Sequence, residues 1–190
     1  MSDQILVNRA PVLTLWASVV AERLGFDAGA ALTLGKAVAG LTAQSKGRHL
    51  GIFKPPPATA GKAARKSGLG EELWIDLCGR AIPAKNTTDG IRAVVKDAPI
   101  DPAQVRSYLE KAFGNDLAPV REAMQRLARS VAPEELRERA FGLYEGFRPA
   151  VAPGQRGWGQ KGTLDLVRIR TMAGDSSGGS RKRGSRTRPR

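Results

Sequence analysis

The chain has 190 residues, 41% of them hydrophobic, with 12 Pro, 22 Gly, and 31 Lys/Arg against 18 Asp/Glu for a formal net charge of +13. That length and apolar content suffice for a substantial core joined by irregular connections. Met1-Ser2-Asp3-Gln4 lacks the basic and apolar regions of a secretory signal, no apolar run approaches the roughly 18 residues of a membrane span, and the lone Cys78 excludes an intramolecular disulfide and a cysteine-based zinc cluster.

The placement of the charge says more than its size. Residues 1–27 sum to −1, residues 28–70 carry seven Lys/Arg and no acid, residues 71–173 sum to +2, and residues 174–190 carry six Lys/Arg against Asp175. Like charge concentrated in two segments points to a polyanionic partner. The expected compartment is the cytoplasm, nucleoid association included.

In chain order, Asn8 is a candidate N-cap and Pro11 stands in a first turn, with Val12, Leu13, Trp16, Val19, Val20 and Leu24 at helical spacing up to Gly25. Asp27 caps a second helix running to about residue 45, so residues 1–45 read as a helical hairpin. Ala31, Gly35, Ala39 and Ala43 form a stripe of small side chains that admits a neighbouring backbone, either the first helix or a second copy of the chain in a homo-oligomer.

Residues 46–70 read as a basic Pro/Gly-rich linker. Leu73, Ile75 and Leu77 alternate with Trp74, Asp76 and Cys78 as in a half-buried strand. Ile91–Val95 is a second strand, with Asn86-Thr87-Thr88-Asp89-Gly90 as the turn between the two, and such a pair needs helices or a third strand to be stable. Asp101-Pro102 opens a helix ending at Gly114, and helices over about 116–130 and 133–147 follow, the last opened by Pro133-Glu134-Glu135 and closed by Pro149. Residues 150–162 form a Gly-rich loop, Leu164, Leu166 and Ile169 suit a third strand or a short closing helix, and from Gly174 onward a disordered Arg-rich tail is expected. Residues 71–173 thus read as an α+β body, and the fold class as helix-dominated α+β: N-terminal helical hairpin, small β-hairpin or sheet, three further helices and a disordered basic C-terminal tail.

Gly157-Trp158-Gly159-Gln160-Lys161-Gly162 matches G-x-G-x-x-G in letters, but a proline-containing loop precedes it where the dinucleotide motif needs a strand. Trp158 between Arg156 and Lys161 could instead stack on a base while the cations meet phosphates, or simply anchor its loop to the core. His49 and Cys78 lie in no nucleophile motif, and the acids around Glu71 and Glu134 read as structural, so no catalytic residue, metal ligand or cofactor is nominated. The residues that remain are cationic: Lys46, Arg48, Lys54, Lys62, Arg65 and Lys66 in the linker, then Arg181, Lys182, Arg183, Arg186, Arg188 and Arg190 in the tail. Flexible cations of this kind bind DNA or RNA phosphates with little regard to sequence. The expectation is a non-enzymatic nucleic-acid-associated protein, with an acidic protein partner as the alternative and an enzyme with a site assembled from distant residues as the third class.

Overall fold

Between Ala10 and Ala21 the chain carries no charged residue, and the helix formed there, α1 (Arg9–Arg23), is buried on every side from Pro11 to Ala21. A helix apolar all round belongs inside a fold, because any face turned to water would expose aliphatic surface. Its hydroxyls fit the interior by bonding back into the helix, Thr14 Oγ1 donating to the Ala10 carbonyl at 2.9 Å and Ser18 Oγ to that of Thr14 at 2.7 Å. The structure, a computed structural model, describes residues 3–47, 70–155 and 158–175. It is a helix-dominated α+β fold with two small antiparallel sheets.

Around α1 pack α2 (Ala28–Gly47), α3 (Pro102–Phe113), α4 (Leu117–Arg129) and α5 (Pro133–Phe147). α2 starts where expected, with the Asp27 carboxylate accepting from the Ala30 N–H at 2.9 Å, and α3 likewise, with Asp101 accepting from Ala103 N–H at 2.9 Å. Asn8 precedes α1 but makes no side-chain cap bond. The small-residue stripe finds its neighbour within the chain: Gly35 lies against Ser18 and the Thr14 carbonyl of α1. That face is therefore filled from inside, and Ala43, beyond the contact, is exposed.

The β region differs from the sequence reading in its middle. Three successive two-residue connections make a meander of β2 (Glu72–Leu77), β3 (Arg80–Thr87), β4 (Gly90–Val95) and the short β5 (Ala98–Pro99). β3 lies between the two expected strands, takes in Asn86 and Thr87 of the expected turn, and accommodates Pro83 within the sheet. Trp74 and Pro83 form a non-hydrogen-bonded pair, so the position of the missing N–H faces away from β2, and β4 pairs with β3 only from Ala84 onward. The β2–β3 turn, Cys78-Gly79, and the β4–β5 turn, Lys96-Asp97, place both central residues at positive φ, between 50° and 71°. This is the mirror-image turn whose twist suits a hairpin. The meander rests on α2, where Thr33 Oγ1 accepts from the Ala93 N–H at 3.0 Å and Arg80 Nε donates to Thr42 Oγ1 at 3.3 Å.

The second sheet joins distant parts of the chain. β1 (Gln4–Asn8) pairs antiparallel with β6 (Lys161–Asp165), Ile5 opposite Leu164 and Val7 opposite Gly162, and α6 (Leu166–Asp175) then packs on α4. β1 escapes sequence reading because Ile5, Leu6 and Val7 are all apolar, which hides the alternation: Ile5 and Val7 are buried while Leu6 is 68% exposed. The third strand thus pairs with β1 rather than with the meander, the closing helix exists as well, and it carries Gly174 and Asp175, which were expected in the tail. One hydrophobic cluster draws residues from β1, α1, α2, β2, β3 and β4 and from α3, α4, α5, β6 and α6.

Candidate nucleic-acid interface

Charge sorts sharply between the described body and the rest of the chain. All 18 Asp/Glu lie in the described residues together with 19 of the 31 Lys/Arg, while the other 12 cations have no acid among them, so the body accounts for +1 of the +13. Within the body many charges meet a partner. Glu22 holds Arg121 at 2.6 Å, Asp3 holds Arg170 at 2.9 Å, and Glu135 pairs with Arg139 one helical turn on. Arg92 donates to the carbonyls of Asp89 and Ile91 at 2.8 Å and lies 3.9 Å from Asp27, clasping the β3–β4 turn to the start of α2.

Of the cations nominated from sequence, Arg48, Lys54, Lys62, Arg65, Lys66, Arg156 and the six of the tail lie outside the described residues, as does His49. Lys46 stands in the last turn of α2. Lys161 is exposed at the first position of β6, opposite Asn8. Trp158 is half-buried and packs against the core cluster, so much of its ring already serves to hold the loop. The G-x-G-x-x-G run leads into strand β6, the reverse of the strand-to-helix order that a dinucleotide needs.

No group of three His, Cys, Asp or Glu among the described residues could hold a metal ion, and no described helix is long and apolar enough to cross a membrane. Cys78 is buried, and desolvation pushes its thiol from the usual 9.0 up to about 12. The native protein is expected not to react with a water-soluble disulfide reagent at pH 8 and to react fully once unfolded; rapid native labelling would show that the β2–β3 turn opens. Since the unfolded thiol ionises first, native stability should fall as pH rises through that window, and burial of Tyr144, whose phenol is raised to about 12, acts in the same direction.

Sequence reading did not single out Arg23 and Arg129, which the packing of α1 against α4 brings to one cleft. Far apart in the chain and each in a last helical turn, they look like ordinary partners of the helix dipole. Comparisons with protein-family models, with curated proteins and with solved structures find no match to this chain.

Proposed function

We propose that the protein binds nucleic acid through phosphate contacts made by its basic segments, with a near-neutral folded body carrying them. The observation that supports this reading is the placement of charge along the sequence: residues 28–70 carry seven Lys/Arg and residues 176–190 carry six, with no acid in either stretch. A protein that needed charge only for solubility would spread it over its surface. Cations set apart from any acid find their counter-charge in a partner, and a polyphosphate backbone supplies it at dense, regular intervals. Each phosphate contact releases condensed counterions, so affinity falls steeply with salt and depends little on sequence.

The reading is tested by fluorescence anisotropy of labelled duplex DNA and single-stranded RNA over a salt series, with the full chain and a version ending at Asp175. The full chain is expected to bind at low salt, and loss of the six tail cations to reduce the slope of log K against log salt on duplex DNA by as much as about five. Replacing Arg48, Lys54, Lys62, Arg65 and Lys66 with Gln should flatten it further. Absence of binding at low salt would overturn the proposal and favour an acidic protein as the partner.

A further inference from the structure

We propose that the cleft between α1 and α4 binds a phosphate group held between Arg23 and Arg129. The cleft, about 320 Å³, is lined by Val19, Glu22 and Arg23 from α1 and by Gln125, Ala128 and Arg129 from α4. Arg23 Nε is closed off from solvent and has no hydrogen-bond partner. A buried donor left without an acceptor is unfavourable, and folded proteins rarely retain one unless something outside the chain supplies the acceptor. Neither Arg23 nor Arg129 takes part in an ion pair among the described residues.

Glu22, the acid in the cleft, does not cancel this charge, because Arg121 already holds its carboxylate at 2.6 Å. The helix dipole favours a cation in each last turn whatever the ligand, but it gives no reason for an orphaned Nε–H. The Nη–H groups of a guanidinium form a planar pair of donors that matches two oxygens of one phosphate, and those of Arg23 are not closed off as its Nε is. A phosphate dianion balances both arginines, whereas a single carboxylate would balance one. Gln125 adds a neutral amide donor, and Val19 and Ala128 form an apolar wall. A cleft of about 320 Å³ also has room for an organic group carried by the phosphate. The phosphate could belong to a small phosphorylated molecule or to a nucleic acid.

The test uses the full chain, labelled with ¹⁵N, and follows arginine Nε–H signals during titration with inorganic phosphate at constant ionic strength. A saturable shift of one Nε–H, absent from the Arg23→Gln spectrum, is expected, with the apparent Kd weakened at least about tenfold by Arg129→Gln. Arg129 is exposed, so that variant should keep its fold even if Arg23→Gln does not. Arg106→Gln, on the exposed face of α3 and outside the cleft lining, should leave the titration unchanged. Displacement of bound phosphate by a mononucleotide but not by duplex DNA lacking terminal phosphates would identify a small phosphorylated ligand; displacement by the duplex would identify a backbone phosphate. A shift that never saturates, or that Arg129→Gln leaves unaltered, would overturn the site. It would leave the salt-slope result standing, since that is read from the tail.

Discussion

Gly35→Ala is expected to destabilise the protein by about 3 kcal/mol, against the usual trend for a glycine inside a helix. Intrinsic propensity alone would make the change favourable by roughly 1 kcal/mol. Packing reverses the sign. A methyl at Gly35 would intrude on Ser18 Oγ and on the Thr14 carbonyl oxygen, and would lie 3.0 Å from the Ser18 amide nitrogen. Two of those three atoms are backbone in the buried centre of α1, so relief requires the two helices to separate along the contact that carries much of the core. Gly40 is the internal control: it is exposed in the same helix, and a methyl there meets nothing within 4 Å. Gly40→Ala should therefore stabilise by up to about 1 kcal/mol. Denaturant unfolding of both variants decides the matter, and similar midpoints for the two would show that α1 and α2 are not in close contact at Gly35.

Trp16→Ala should cost about 4 kcal/mol, a large part of the 5–15 kcal/mol that holds a typical domain folded. Trp16 is fully buried, its indole N–H donates to the Ala140 carbonyl of α5 at 2.7 Å, and its ring meets Phe147 edge-on with centroids 5.3 Å apart. Phe147 in turn stands edge-on to Tyr144. Truncation removes the link between α1 and α5 and leaves a cavity that those rings can fill only by leaving their own positions. Trp74, 47% exposed on β2, provides the contrast: Trp74→Ala should shift stability by no more than about 1 kcal/mol. Loss of native tryptophan emission in the Trp16 variant well below the wild-type midpoint would agree with this account; an unchanged midpoint would contradict it.

Residues 101–147 were the part of the fold most legible in sequence. Each helix there buries one stripe and exposes the other, and Asp101, Pro102 and Pro133 mark their starts, so the information is local. α1 was legible as a helix but not as the centre of the molecule, because periodicity reports which face is apolar and this helix is apolar on all of them. β3 contains Pro83, whose compatibility with the sheet depends on which neighbour lies on its N–H side. β1 and β6 could not be matched at all, since five residues at the start of the chain and five near residue 163 carry no mark of each other until the helices between them have folded.

The same division runs through the candidate sites. By itself the sequence determined the helix-dominated α+β class, the starts of α2 and α3, and the concentration of cations without acids in the stretches on which the proposed function rests, because composition and capping act over a few residues. Only the tertiary structure decided that the small-residue stripe of α2 is spent on Ser18 of the same chain, that Trp158 packs against the core, and that Arg23 and Arg129 share a cleft. Each of those depends on what lies across an interface between elements distant in sequence, and close packing, not any residue's own preference, selects that neighbour.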